Sequence, residues 1–570
     1  MTLVRHLLVA DVRRFQSTLI SWVALVVITT VLDAAAPELV PGSSLALGVT
    51  VASTLLSVAT ILYFVAVVAV VVQNHSVVGT TAFWFAKPIP PLSLFASKAL
   101  LLVGLLVAVP VACDVVLMAV HHVPVSRMLL VVLQTVLVRT LAIALLMSVA
   151  ATTANLTRFT LVCVAALVGI GLVGVLSLSL LLGQWSGGGR MSVLSTPQGG
   201  GPIDVAARTF DHTPDALGIM LVTIAAVLML RSQYLVRQVR RSVSLGVAGA
   251  AIAILIAAFW PWPLFVPRQA VPPWANNAGA AVLGGNAASF GFDWGLSYIR
   301  DDVRLARADT RVTGFPDGWF ATARLAGASL AIPGHPDLTS LPYGPAAFLV
   351  QQNGSSLLSL ALAHALGVSM VATSGTAGAD RLVTFVTREG QLSARQPASG
   401  NYVGNFVLDL TRLERVAAMP LEPGIFQDGD FRFQVKEVRT ENDGLYLRTK
   451  ISETQTIFDR RPPAAYLYFL VNYDRDQALS GYDTWRRGNA FGLPAALPAY
   501  WFPPGFSLES TSMQFSVRGS VHDKNQRDFV AEWIANARLV LIKATGVGAV
   551  MREVRLPDVK TTVELPRRRQ

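Results

Sequence analysis

Cysteine and charge are scarce in this chain, and long apolar runs are missing from its C-terminal half. The sequence has two cysteines, Cys113 and Cys163, and both lie in apolar runs of the N-terminal half. No disulfide can therefore support the C-terminal half. After residue 266 no apolar run reaches the roughly 20 residues that cross a bilayer. These absences divide the chain into a polytopic membrane region and a large soluble region.

Several enzymatic motifs are also missing. None of the seven lysines follows a glycine, so the chain has no phosphate-binding P-loop. No histidine precedes a glutamate, which excludes the His-Glu-x-x-His zinc helix, and there is no Gly-x-Ser-x-Gly nucleophile elbow. His121 and His122 are adjacent, which is more typical of a polar loop than of a metal site. The sequence predicts no catalytic, cofactor-binding or metal-binding residues, and we expect the chain not to be an enzyme.

Seven apolar runs in the first 266 residues are candidate membrane spans. They are Ser17–Leu32, Leu45–Val72, Ala99–Val120, Met128–Ala151, Phe159–Leu182, Ala216–Leu230 and Val243–Phe265. The sixth run has only 15 residues and spans a bilayer only if its helix continues past Leu230. Without that span, the soluble region would lie on the other side of the membrane.

The basic residues predict the orientation of the spans. Residues 1–266 hold 14 Lys/Arg against 7 Asp/Glu, whereas residues 267–570 hold 32 against 28. If the N-terminus is cytoplasmic, most bases of the membrane region lie in cytoplasmic segments, as the positive-inside rule requires. Seven spans then place the C-terminal region outside the cytoplasm. The basic excess is explained by membrane topology, so we expect no nucleic-acid partner.

The apolar runs, the basic residues and the alternating apolar residues of the C-terminal half together predict the fold class. It is an α-helical membrane domain of six spans plus a seventh anchoring span, followed by a mainly β extracytoplasmic region. The predicted domains are residues 1–240, the seventh helix at 241–266, a mixed α/β subdomain at 267–418 and a β-sandwich-like subdomain at 419–570. Alternating apolar residues before and after Glu441-Asn-Asp-Gly444 predict a hairpin. A second turn is predicted at Thr545–Gly548, whereas Ser356–Leu366 is open between a helix and part of a hairpin.

The segment that follows the second predicted span has the most specific local pattern. Residues 75–98 face the cytoplasm in the predicted orientation, and Val77–Ala86 is a candidate short helix that ends before Pro88. An aromatic cluster, Phe83-Trp84-Phe85, lies on it. These rings are typical of an interfacial aromatic belt, or they dock into a groove on a soluble partner.

This segment resembles the coupling region of permease subunits of ABC transporters of the type-2 exporter superfamily. The resemblance covers roughly residues 1–240, and a turn at Thr152–Arg158 is its second point of similarity. The matching coupling-segment residues are Gly79, Thr80, Phe83, Trp84, Phe85, Pro88, Ile89 and Lys98.

The resemblance implies a permease in the bacterial inner membrane, with residues 75–98 coupled to a separate ATPase subunit. It also implies a homodimer or heterodimer of permeases, and transport that is an export step. Membrane lipids are the other expected partner. The alternative is a membrane-anchored binding or sensory protein whose β domain recognises a ligand.

Two charges fall inside the predicted spans. Asp114 lies in the third span and Arg139 lies about halfway along the fourth. A long arginine side chain can reach a carboxylate on a neighbouring helix, so the two are a candidate intramembrane pair. The alternative is that each charge snorkels or faces a wet crevice on its own. Such a pair would equally serve as helix packing or as part of a substrate path.

Overall fold

The computed structural model describes most of the N-terminal helices and most of the strands of the C-terminal half. The described residues are 2–39, 43–74, 90–153, 155–164, 213–233, 241–242, 244–249, 252, 290–293, 303–308, 311–312, 315–334, 336–340, 347–348, 350–351, 357–372, 382–388, 398–441, 444–456, 458, 464–480, 482–487, 505–516 and 526–562.

The N-terminal part is helical. Its helices are α1 (Thr2–Arg14), α2 (Gln16–Ala35), α3 (Ser44–Gln73), α4 (Pro91–Leu106), α5 (Ala108–Val120), α6 (Val125–Thr152) and α7 (Thr213–Arg231), with a short 3-10 turn at Ala36–Glu38. The helices α4 and α5 form one span that is broken at Val107. Pro110 explains the break, because it lacks the amide hydrogen that would bond to the carbonyl one turn earlier.

Four helices in the described part of the chain are long and apolar enough to cross a bilayer, as expected of a membrane protein. They are Gln16–Ala35, Ser44–Gln73, Leu92–Val120 and Val125–Ala151. Large apolar side chains on them, including Ile20, Leu55 and Leu129, are exposed and would contact lipid. The interior is packed around Trp22, which is fully buried and stacks on Tyr63 with ring centroids 6.4 Å apart.

The described residues support these four spans and not the six-plus-one count. The fifth predicted span is described only over residues 159–164, which are helical. The sixth coincides with α7, whose described apolar part, Met220–Arg231, is shorter than a span. Of the seventh predicted span, only residues 244–249 and 252 are described, and these are also helical.

The C-terminal half is mainly β, and we call residues 290–562 the β region. Its strands are β1 (Phe290–Asp293), β2 (Val303–Ala308), β3 (Arg311–Val312), β4 (Trp319–Ala331), β5 (Leu338–Thr339), β6 (Ala347–Phe348), β7 (Val350–Gln351), β8 (Met370–Ala372), β9 (Leu382–Arg388), β10 (Ala398–Met419), β11 (Gly424–Asp428), β12 (Phe431–Glu441), β13 (Gly444–Gln455), β14 (Ala464–Asn472), β15 (Gln477–Ser480), β16 (Tyr482–Arg487), β17 (Gly505–Ser516) and β18 (Ala537–Thr562). Two described helices accompany them, α8 (Leu357–Leu366) and α9 (Gln526–Ala535).

An eleven-stranded sheet forms the longer part of the β region. Its main path runs β5-β4-β10-β18-β1-β2-β9, and β6, β8, β14 and β15 join off this path. The antiparallel strands β10 and β18 form its central pair. A 22-residue strand such as β10 extends about 70 Å. Because β18 pairs with strands from both sides of residue 418, this sheet joins the two predicted extracytoplasmic subdomains.

The predicted turn at Thr545–Gly548 is wrong, because β18 runs through it without a break. Gly548 pairs with Leu410 and Gly546 pairs with Thr411, and the register shifts between these two pairs. A glycine inside a strand marks a bulge as readily as a turn. The alternating residues on both sides therefore belong to one long strand.

The predicted hairpin around residues 441–444 is confirmed. Strands β12 and β13 pair from Phe431↔Glu453 to Glu441↔Gly444. They belong to a five-stranded antiparallel sheet in the order β11-β12-β13-β17-β16. The open question at Ser356–Leu366 is also answered, since Leu357–Leu366 is the helix α8.

The five-stranded sheet has an apolar inner face. Its buried residues include Phe433, Leu447 and Phe515, which share a core with Trp533 of α9 and Leu541 of β18. Two sheets therefore face each other across this core, and the opposite face of the five-stranded sheet is left for another contact.

Candidate functional site at the junction of the helices and the β region

The five-stranded sheet contacts one end of the helix bundle. Strand β17 contacts the Ala36–Glu38 turn, and β13 and β17 both contact α6. This end holds the turns from α2 to α3 and from α5 to α6. We call the contact between these two turns and the sheet the junction.

The end of α3 and the start of α4, which flank residues 75–89 in the sequence, lie at the opposite end of the bundle. The junction lies where α3 begins and where α5 ends. At that far end Gln73 donates a hydrogen bond to Thr153 Oγ1 at 3.0 Å, which brings the ends of α3 and α6 together. The β region therefore contacts the end of the bundle opposite to the one where α3 ends and α4 begins.

Basic side chains on β12 and β13 form the sheet side of the junction. Successive residues of a strand point to opposite faces, so Arg432, Arg448 and Lys450 lie on the face away from the apolar core. Lys436 lies at a bulge, because the register of β12 and β13 shifts between Val435 and Glu437. Bulges redirect side chains in this way.

Glu38 is the acidic centre of the junction. Its carboxylate bonds to Lys450 and lies 3.2 Å from Lys436 Nζ, and its backbone carbonyl accepts a hydrogen bond from Arg448 at 2.9 Å. Burial alone would raise the pKa of Glu38. The hydrogen bonds from Lys450 and Lys436 outweigh burial and hold this pKa below its ordinary value.

A second ion pair joins α6 to the turn before β12. Arg127 lies in the first turn of α6, is almost fully buried, and forms a salt bridge with Asp430. A cation in the first turn is unfavourable, because the amino end of a helix carries partial positive charge. Asp430 therefore offsets an electrostatic cost at this position.

The turn between α5 and α6 makes a polar and an aromatic contact. The carbonyl of His121 accepts a hydrogen bond from Arg432 at 2.9 Å, and the His121 ring stacks on Phe506 at 5.8 Å. Next to Phe506, Gly505 has a φ of +77°, and a Cβ there would lie 3.2 Å from Val131 Cγ1. The glycine permits both this backbone conformation and the close approach to α6.

The basic side chains of the junction act on two titrating groups. Burial lowers the pKa of His121, and the nearby charges of Lys450, Arg432 and Lys436 lower it further against the opposing effect of Glu38, to about 4. For the pKa of Glu38, burial opposes the two lysines, and the lysines prevail. Basic side chains therefore contribute to both shifts.

Lys98 is the one predicted coupling-segment residue that the structure describes. It lies on α4 and forms a salt bridge of 2.8 Å with Asp11 of α1, and both side chains are buried. The pair fixes the start of α4 to the N-terminal helix. The other predicted residues of this segment, Gly79, Thr80, Phe83, Trp84, Phe85 and Pro88, lie outside the described residues.

The two intramembrane charges lie on neighbouring helices. Asp114 is on α5 and Arg139 is on α6, and these helices pack against each other. Both side chains are partly buried, and each charge acts on the other. Their proposed energetic coupling stays a prediction.

A shallow cleft of about 480 Å³ lies in the eleven-stranded sheet, away from the junction. Its lining includes Asp317, His364, Arg412 and Glu414. His364 Nδ1 lies 3.6 Å from Asp317, and both side chains are more than half exposed. In the described part of the chain, no group of three or more His, Cys, Asp or Glu residues could hold a metal ion.

Sequence reasoning missed the junction, although two signals for it were present. Arg432 alternates with Phe431 and Phe433 on one strand, and Arg448 and Lys450 alternate with apolar or small residues on the next. A basic face opposite an apolar face indicates that the sheet meets something acidic or polar. The partner, Glu38, is the acidic residue of the short turn between α2 and α3.

The chain was compared with protein-family models, curated proteins and solved structures, and no match was found in any of the three.

Proposed function

We propose that this chain is the membrane-spanning permease subunit of an ATP-driven exporter. In this proposal residues 1–240 form six spans, residues 241–266 form a seventh, and the N-terminus faces the cytoplasm of a bacterium. The β region is then extracytoplasmic. Residues 75–98 couple the spans to a separate ATPase, and two permeases, identical or different, assemble over two ATPase subunits.

The observation that supports this proposal most directly is that the β region contacts the end of the bundle opposite to the one where α3 ends and α4 begins, on either side of residues 75–89 in the sequence. The helix α3 begins beside the junction and ends at the segment, and its 30 residues extend about 45 Å. A movement imposed on one end of a packed helix is carried to the other end, because helix interiors are close-packed. This arrangement suits a machine in which ATP-driven closure on one side moves a domain on the other side.

The buried Lys98–Asp11 pair adds support at the segment itself. An ion pair with both partners buried holds α1 and the start of α4 together, since separating them would leave a buried charge without its partner. In this proposal the coupling segment, residues 75–98, ends at Lys98, and the ion pair with Asp11 holds that end in place. A flexible linker between two spans would not require a buried ion pair.

The test is recovery of an ATPase with the full-length chain from its native membranes. If residues 77–86 enter a groove on the ATPase, Phe83 and Trp84 are expected to act as interface anchors, each contributing about 2 kcal/mol or more. The variant Phe83→Ala with Trp84→Ala should then reach the membrane at normal levels and lose the ATPase. The matched control is Leu129→Ala with Leu133→Ala, two exposed side chains on α6 that would face lipid.

The outcomes separate the functions. Equal ATPase recovery from wild type and the aromatic double variant would contradict the coupling role of residues 77–86. An aromatic belt predicts poorer membrane insertion instead. Failure to recover any ATPase with the wild-type chain would favour the alternative, a membrane-anchored binding or sensory protein. The cleft lined by Asp317, His364 and Arg412 is the observation that favours that alternative, because it is a concave polar surface on the β region.

A further inference from the structure

With the long apolar helices in a bilayer, the junction would lie at the depth of the lipid headgroups. The helix α3 is about 45 Å long, whereas the hydrocarbon core of a bilayer is about 30 Å thick. The ends of the spans therefore extend into the headgroup layer. Glu38 and His121 lie just beyond such ends, so the basic face of β12 and β13 meets the bundle at this level.

Positive charge exceeds negative charge at the junction. Its basic side chains are Arg127, Arg432, Lys436, Arg448 and Lys450, and its acidic ones are Glu38, Asp430 and Glu437. Glu437 is also shared with the exposed Arg439.

Two of the arginines retain capacity for an anion. The guanidinium of Arg432 bonds to the neutral carbonyl of His121 at 2.9 Å, and among the described residues it has no ion pair with an acid. The Nε of Arg448 is buried without a hydrogen-bond acceptor among the described residues. Burial, and after it the neighbouring basic side chains, lowers the pKa of His121 to about 4, and Lys450 and Lys436 hold the pKa of Glu38 below its ordinary value against the effect of burial.

Phosphate matches this chemistry. Arginine presents parallel N–H donors that bind phosphate oxygens in pairs, and lysine adds a compact positive charge. Partial burial strengthens such contacts, because the effective dielectric constant is lower than in water. Phosphodiester groups are abundant at headgroup depth, whereas a free anion would have to be taken from the bulk solvent.

We propose that the junction binds the phosphate of an anionic phospholipid headgroup, with Arg432 and Lys436 as the contacting side chains. The lipid would bridge the helix ends and the five-stranded sheet. Glu38 competes for Lys436 and Lys450 and so limits the affinity. This inference is independent of coupling to an ATPase, since it requires only that α2, α3, α5 and α6 lie in a bilayer.

The experiment uses the purified full-length chain in a neutral detergent and follows its thermal unfolding. Phosphatidylglycerol is titrated into the micelles, with phosphatidylcholine and inorganic phosphate as parallel titrations. We expect phosphatidylglycerol to raise the unfolding temperature at much lower concentration than the other two. Arg432→Gln with Lys436→Gln should raise the half-saturating concentration by about fivefold for each charge removed.

Two further variants control for nonspecific charge and for misfolding. Arg538→Gln with Arg555→Gln removes the same charge from exposed positions of β18 outside the junction and should leave the titration unchanged. Glu38→Gln should act in the opposite direction and lower the half-saturating concentration, because it releases Lys436 and Lys450. A purely structural role for these residues predicts no such gain.

Several results would overturn the proposal. The first is the same half-saturating concentration for wild type and the Arg432/Lys436 double variant. The second is equal stabilisation by phosphatidylcholine. Stabilisation by inorganic phosphate at the same concentrations would assign the junction to free anions instead. If the double variant does not fold, Glu38→Gln decides alone, and unchanged or weaker binding there contradicts the proposal.

Discussion

Removing one partner of the Lys98–Asp11 pair should destabilise the helix bundle strongly, whereas removing both should not. The side chains of Lys98 and Asp11 are 1% and 6% exposed, so solvent screens their interaction little. At 2.8 Å and an effective dielectric constant of 20, their attraction is about 6 kcal/mol. Desolvation costs several kcal/mol for each ion and largely offsets that attraction.

The free energies of unfolding of the variants follow from this balance. Asp11→Leu or Lys98→Met leaves one charge buried without its partner and should each cost about 3–5 kcal/mol. The double variant replaces both charges with apolar groups and should lie within about 1 kcal/mol of wild type. A single replacement should therefore lower the unfolding temperature of the 570-residue chain by about 2–4 °C.

The assay is thermal unfolding of the full-length chain in detergent for wild type, the two single variants and the double variant. The control is Arg555→Gln, which breaks the ion pair with Glu553 at the surface of β18 and should cost at most about 1 kcal/mol. If the double variant loses the sum of the two single losses, the two charges are not coupled. That result would refute the anchoring of α4 to α1.

Three further predictions concern the β region and its docking. Asp430→Ala should destabilise the protein more than Arg127→Ala, because it leaves the buried cation of Arg127 without its partner at the start of α6. Thermal unfolding of the two variants checks this, and the reverse order would contradict it. The folded-state pKa of His121, about 4, is below the ordinary 6.5, so stability should fall as pH decreases from about 6.5 to about 4 and should not depend on His121 above that window. Melts at pH 7 and pH 5 should show a smaller fall for His121→Phe than for wild type, and equal falls would count against this assignment. Trp533→Ala should cost about 3–5 kcal/mol, because it opens a cavity in the core between the two sheets; a loss below 1 kcal/mol in denaturant unfolding would contradict that packing.

Much of the fold follows from periodicity in the sequence. The first four spans coincide with long apolar helices, although the third was predicted to start at Ala99 and its helix starts at Leu92. Long apolar runs have few alternatives to crossing a bilayer. The β12–β13 hairpin was predicted for a similar reason, since alternation with a turn between two strands is a local signal.

The failures of prediction were in features that depend on distant parts of the chain. The glycines at 546 and 548 looked like a turn, and only the pairing of β18 with β10 shows that they sit at a bulge in one long strand. The β12–β13 hairpin was predicted as part of a β-sandwich-like subdomain, but the outer basic face of its sheet had no predicted partner. Glu38 is separated from Lys450 by 412 residues, so no local pattern connects them.

The same limit applies to the predicted site residues. The resemblance pointed to Lys98 as the end of the coupling segment, yet the partner that holds it, Asp11, is 87 residues away. Asp114 and Arg139 were paired from their predicted depths; their helices, α5 and α6, pack against each other, and the pairing itself stays a prediction. Which charged residues meet depends on burial and on contacts between distant parts of the chain, and both depend on the whole fold.

Side-specific labelling tests the central claim most directly, namely that the β region and the 75–89 segment lie on opposite sides of the membrane. Single cysteines are introduced at two exposed positions in a chain that lacks Cys113 and Cys163. Glu422→Cys lies in the β region, and Thr157→Cys lies just after α6, whose end is next to the end of α3 that precedes residues 75–89. An impermeant maleimide is added to right-side-out membrane vesicles. We predict that Cys at 422 reacts in intact vesicles and that Cys at 157 reacts only after lysis. Reaction of both positions from the same side would contradict the account.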